Sequence, residues 1–95
     1  SALVLENLIF QRASPRGIVV AGDATNRSDR RLEAVLLTTT LYDVGDENAT
    51  GREPTREETS HAGLAAGETW QWATTFTDPP DEVDFFGVDA VANYD

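Results

Sequence analysis

The 95-residue chain contains no cysteine and no lysine, and it carries a single histidine. Without cysteine there is no disulfide, no thiolate nucleophile and no Cys-ligated zinc or iron–sulfur site. His61 alone cannot build a multi-histidine metal centre, and Ser60 beside it makes no catalytic triad by adjacency. As part of a polar stretch it reads as a solvated edge residue. A Gly-rich phosphate loop and a nucleophile elbow are both missing. Glu57 and Glu58 are neighbours, so on a strand they point to opposite faces, which works against a paired-carboxylate acid–base arrangement. These absences lead us to expect a domain without catalytic residues or cofactor. No run of about 18 apolar residues occurs and no signal-peptide pattern opens the chain, so direct membrane insertion by this segment is not expected. The chain begins at Ser1 without methionine. We therefore expect an excised domain or a processed product, with any anchor or targeting segment upstream.

What is present in excess is acid. Seventeen Asp and Glu face seven basic residues, all of them arginine, for a formal net charge of −10. The acids are dispersed along the chain and do not form one tail. Dispersed acids without lysine, alongside much Ala, Thr and Gly, resemble the proteins of a salt-loving archaeon. At 1 M salt the Debye length is about 3 Å, so self-repulsion that would loosen a small acidic domain is largely screened. Nucleic acid is not an expected partner, because phosphate binding calls for Lys and Arg clustered on one face.

The length suits one domain over residues 1–95, burying somewhat more than roughly 60% of its unfolded surface in a single small core. Periods of two dominate and no window holds a helical stripe, which predicts an all-β fold. In Glu68-Thr69-Trp70-Gln71-Trp72-Ala73-Thr74-Thr75-Phe76, the residues Trp70, Trp72 and Phe76 share one face, with Thr69, Gln71 and Thr75 on the other. That alternation marks the tryptophans as core and not as a sugar-stacking platform, and a buried indole N–H then needs a partner. The longest strand spans 32–42, directing Val35, Leu37, Thr39 and Leu41 inward and Thr38 and Thr40 outward. Earlier strands are expected over 3–10 and 17–24, joined by the turn Ala13-Ser14-Pro15-Arg16-Gly17. A charged edge strand is expected near 56–61. A last strand carries Phe86, Val88, Ala90, Ala92 and Tyr94 on one face, entered through Asp78-Pro79-Pro80-Asp81. Six or seven short strands at this spacing point to an antiparallel β-sandwich.

Three segments occur in order: Gly22 with Asn26-Arg27-Ser28, then Leu41-Tyr42-Asp43-Val44-Gly45 ending the longest strand, then Leu64-Ala65-Ala66-Gly67-Glu68-Thr69-Trp70. Together they resemble the FxLYD domain family over roughly residues 5–92. The Phe of that signature is replaced by Thr39. The resemblance implies a single immunoglobulin-like β-sandwich of six to seven strands. It further implies a non-catalytic extracytoplasmic module of a surface or envelope-associated protein, partnered by another protein or an envelope component.

Two other functional readings come from particular residues. Asp43, Asp46, Glu47 and Asn48 place hard oxygen donors within six positions, the ligand type calcium takes, although their spacing departs from D-x-[DN]-x-[DN]-G. A strand-capping turn favours the same residues for local hydrogen bonding. Asp78, Asp81, Glu82 and Asp84 form a second acidic cluster of the same kind. A cation-binding structural module is therefore one alternative, and an accessory domain of an enzyme encoded in the same chain is another. Finally, Asn26-Arg27-Ser28 and Asn48-Ala49-Thr50 are N-x-S/T triplets in predicted turns, hence candidate glycan acceptors. Asn26 also coincides with a turn asparagine of the resembled family.

Overall fold

In a computed structural model, which describes residues 3–14, 17–42, 55–77, 79, 83 and 85–94, β-branched and aromatic alternation is converted into six antiparallel strands. They are β1 (Leu3–Ser14), β2 (Gly17–Asn26), β3 (Leu32–Tyr42), β4 (Thr55–Leu64), β5 (Thr69–Thr77) and β6 (Phe85–Tyr94). They form two three-stranded sheets, β1-β2-β5 and β4-β3-β6. This is the A-B-E over C′-C-F arrangement of an immunoglobulin-like sandwich. Pro79 falls between β5 and β6, where no ladder hydrogen bond is lost.

The most apolar alternating strands, β2 and β3, are central in their sheets. From β2 come Ile18, Val20 and Ala24, from β3 Leu32, Val35, Leu37 and Leu41, and from β5 Trp72 and Phe76; Leu3 and Leu64 complete the buried core. Thr39 is also fully buried. Each large core side chain contributes about 1.5–3 kcal/mol by leaving water. The expected inward and outward faces of β3 and β5 are observed, while burial departs from them at Trp70, only partly buried, and at Thr40. Thr40 lies on the outer face yet is buried. It is paired with Arg56 on one side and Gly87 on the other, and the Tyr42 ring reaches over Gly87, so its neighbours cover it.

β1 and β2 run longer than the sequence pattern marks, reaching Ser14 and Asn26, and their ladder extends to the pair Ser14↔Gly17. Glu6 pairs with Asp23 and Ile9 with Ala21, leaving Asn7 and Leu8 opposite Gly22. That is a β-bulge, with Asn7 in the left-handed region at φ 56. Asparagine tolerates this conformation, and here its Nδ2 donates to Asp23 Oδ2 at 2.8 Å. Gly22 is required opposite the bulge. A Cβ there would stand 2.8 Å from Leu8 Cδ2, 3.1 Å from the Glu6 carbonyl oxygen and 3.3 Å from Trp72 Cζ2.

The sheets are tied at one end by Asn26, which has no exposed surface. Its Nδ2 donates to the carbonyls of Arg30 at 2.7 Å and Leu64 at 3.0 Å. Its Oδ1 accepts from Ser28 N at 3.0 Å and Ser28 Oγ at 2.6 Å. Its backbone joins the segment before β5, donating to Glu68 O at 3.0 Å and accepting from Gly67 N at 2.7 Å. One residue at the end of β2 thus holds the connection into β3 and the end of β4. The expectation of a glycan acceptor at Asn26 is corrected: both protons of its amide nitrogen are committed to carbonyls inside the fold.

Candidate functional site

Two surfaces stand out from the rest of the sandwich, one polar and one apolar. The polar one is an open concavity of about 570 Å³ beside the β1 bulge, lined in part by Glu6, Asn7, Asp23, Thr25, Arg27 and Thr69. Its charged groups already meet partners. Arg27 Nη2 donates to Glu6 Oε1 at 2.9 Å, and Asp23 accepts from Asn7. Thr25 and Thr69 share a hydroxyl–hydroxyl hydrogen bond at 2.8 Å. The Arg27–Glu6 pair is largely exposed, so it adds little stability.

The apolar surface lies where β1 and β6 meet along one side of the sandwich. Phe10 of β1 stacks on Phe86 of β6 with ring centroids 5.6 Å apart, bridging the two sheets. Beside the stack, Phe10, Val83, Phe85 and Phe86 line a cavity of about 370 Å³. Leu8, Ile9, Phe10, Phe85 and Val91 are all exposed large hydrophobic residues. The sequence signal for this side is a break in the period of two. Leu8-Ile9-Phe10 and Phe85-Phe86 are consecutive apolar residues, so each run must place apolar side chains on both faces.

The final strand also departs from expectation in burial. Phe86, Val88 and Ala92 pack against the core but remain half-exposed, and Ala90 and Tyr94 are exposed. The reason is position: β6 is an edge, paired with β3 alone among the described residues. Tyr42, on the outer face of β3 with Thr38 and Thr40, stacks on Phe85 at 4.7 Å between centroids. Leu41, buried in the core, and Tyr42 therefore both act in packing.

The opposite side of the sandwich is more closed. Thr74 Oγ1 donates to Thr59 Oγ1 at 3.1 Å, and the His61 ring lies 4.9 Å from that of Trp70. His61 is consequently not the solvated edge residue its polar neighbours suggest; it is half-buried, and its Nδ1 is buried without a hydrogen-bond partner. Trp72 is buried as expected, whereas Trp70 is only partly so. The expected partner for the Trp72 indole N–H is not found, and the Thr39 hydroxyl is likewise buried and unpartnered. Glu57 and Glu58 are both exposed on β4.

The cation candidates Asp43, Asp46, Glu47 and Asn48, with the second N-x-S/T triplet, lie outside the described residues, as do Asp78, Asp81, Glu82 and Asp84. Among the described residues, no group of three or more His, Asp or Glu side chains is placed to hold a metal ion. No helix among them is long and apolar enough to cross a membrane. No protein-family profile, curated protein or solved structure matches this chain.

Proposed function

We propose that this domain is a non-catalytic extracytoplasmic module of the FxLYD type that binds another protein or an envelope component through the β1/β6 side of its sandwich. The observation that carries this reading is the apolar edge of that side, where Phe10 stacks on Phe86 beside a cavity of about 370 Å³ lined by Phe10, Val83, Phe85 and Phe86, in a chain otherwise rich in acid. An apolar cavity with exposed apolar residues at its rim is a usual mark of an interaction site on a small domain. The net charge of −10 adds selectivity, because it repels anionic partners and favours cationic or neutral ones.

The halophile reading belongs to the same proposal, since a domain this acidic is best held together in concentrated salt. Fractionation of the native cells tests the location: the protein is expected with the envelope, accessible to protease added outside intact cells. Recovery in the soluble cytosol, protected from that protease, would overturn the extracytoplasmic assignment. Calorimetric titration with calcium in molar salt tests the cation-binding alternative. Saturable heat accompanied by a rise in melting temperature would replace our reading with that one.

A further inference from the structure

We propose that β6 is a receptor edge that takes up one extended strand from another polypeptide, a strand with apolar residues at alternate positions and Lys or Arg on its solvent face. The inference rests on the binding-module reading above and specifies its surface, its backbone chemistry and the character of its partner.

The four sheet edges are not equivalent. β4 carries Arg56, Glu57 and Glu58, charges that discourage pairing with another chain. β1 is interrupted by the Asn7–Leu8 bulge and carries Glu6 and Arg12. β5 is flanked by β4 through the Thr59–Thr74 and His61–Trp70 contacts. Among the described residues β6 is flanked at one end by the Phe10–Phe86 stack and has none of these protections along the rest of its length. It runs for ten residues with one charge, Asp89, and no proline, and its register with β3 is unbroken from Phe85 to Asn93. Every second residue of such a strand directs its N–H and C=O away from β3. Such an edge is a template for another strand.

An added strand would make β4-β3-β6 four-stranded, in the place held by strand G of an immunoglobulin sandwich. Its inward side chains would continue the row of Phe86, Val88 and Ala92, which pack on the core but stay half-exposed. The cavity of about 370 Å³ beside Phe10 and Phe86 has room for a large apolar side chain from that row. Charge at the edge itself decides between occupants, because contact pairs survive salt that screens net charge. Asp89, the one charge of β6, is exposed on its outer face and is complemented by Lys or Arg of an incoming strand, whereas a second copy pairing through β6 brings another Asp89 and no base.

The test uses the 95-residue chain in 1 M salt, where unspecific attraction between opposite charges is screened. The probe is a nine-residue capped peptide alternating valine and lysine, and the readouts are its Kd and the amide hydrogen exchange of the domain. Saturable one-to-one binding is expected, slowing exchange of β6 amides at least tenfold and leaving β4 amides unchanged. N-methylation of alternate peptide nitrogens on the pairing edge should weaken binding at least tenfold, and replacing lysine by glutamate should weaken it by a smaller factor that grows as salt is lowered. Val91→Lys, at an exposed outer-face position, should weaken it several-fold while the fold is kept. Equal affinity of the methylated and unmethylated peptides, protection confined to strands other than β6, or dimerisation through β6 without peptide uptake would each overturn the proposal. Peptide uptake at β6 by a protein found in the cytosol would refute the extracytoplasmic reading and leave the edge intact. Envelope location with β6 exchange unaffected by the peptide would do the reverse.

Discussion

Replacing Asn26 by alanine should be among the most damaging single changes at a polar position of this domain. Truncation deletes four side-chain hydrogen bonds, but their losses are unequal. The Leu64 carbonyl is the buried partner, and stranding it costs about 1–3 kcal/mol. The Arg30 carbonyl is only part-buried and has a substitute donor, since Ser28 Oγ lies 2.9 Å away and its proton is freed once Asn26 Oδ1 is gone. Ser28 N, also part-buried, can turn to water. The sum is about 1–3 kcal/mol, against roughly 5–15 kcal/mol of total stability for a domain of this size. That corresponds to a fall in Tm of about 4–24 °C, read by circular dichroism in molar salt. Asn26→Asp sharpens the test: it keeps both bonds from Ser28 but turns a carboxylate oxygen toward two carbonyls, so it should cost at least as much as alanine. A drop of less than about 4 °C for Asn26→Ala, or an aspartate variant as stable as the parent, would refute the role assigned to this junction.

The other expectations are simpler. Thr39→Val removes a buried hydroxyl that has no partner and keeps the branched shape, so Tm should rise by several degrees, about 1–2 kcal/mol; an unchanged or lower Tm would mean that the hydroxyl is satisfied. Gly22→Ala drives a methyl against the Glu6 carbonyl oxygen and Leu8 Cδ2, and should cost about 1–3 kcal/mol; a neutral outcome in a denaturant melt would mean that the β1 bulge yields freely. Lowering salt from molar to millimolar should lower Tm progressively, because the net charge of −10 is then unscreened; a salt-independent Tm would remove the halophile reading.

How much of this could be read from sequence depended on where each signal resides. β5 alternates Trp and Phe with Thr and Gln almost without exception, so its faces follow from period alone, and Trp72 and Phe76 are buried while Thr75 is not. All six strands were legible, although β4 was marked by its charges and not by apolar alternation. Burial that depends on a neighbouring strand was not. Thr40 is covered by Arg56 and Gly87 across two ladders, while the inward row of β6 stays half-open because nothing among the described residues lies beyond it. Asn26 shows the same limit for polar residues. A turn asparagine was expected there, but the bond to Leu64 spans 38 positions and no local pattern encodes it. The candidate site was legible only in hindsight, through the consecutive apolar residues Leu8-Ile9-Phe10 and Phe85-Phe86.

The same distribution of contacts implies that stability is graded across the sandwich. Asn26 fastens one end, and the Thr59–Thr74 bond with the His61–Trp70 packing closes one side, whereas β1 and β6 are joined across the sheets by the Phe10–Phe86 stack. With no disulfide to compensate, the β1/β6 side is where local opening should begin. A strand seated on β6 would bind the closed form and not the open one. Occupancy at about 100 times Kd would then add about 2.7 kcal/mol, a rise in Tm of roughly 11–22 °C for the valine–lysine peptide. The methylated peptide at equal concentration, bound tenfold more weakly, should add about 1.4 kcal/mol, roughly half as much. Equal thermal shifts from both peptides would locate the stabilisation in apolar contact alone, and the backbone edge of β6 would lose its assigned part.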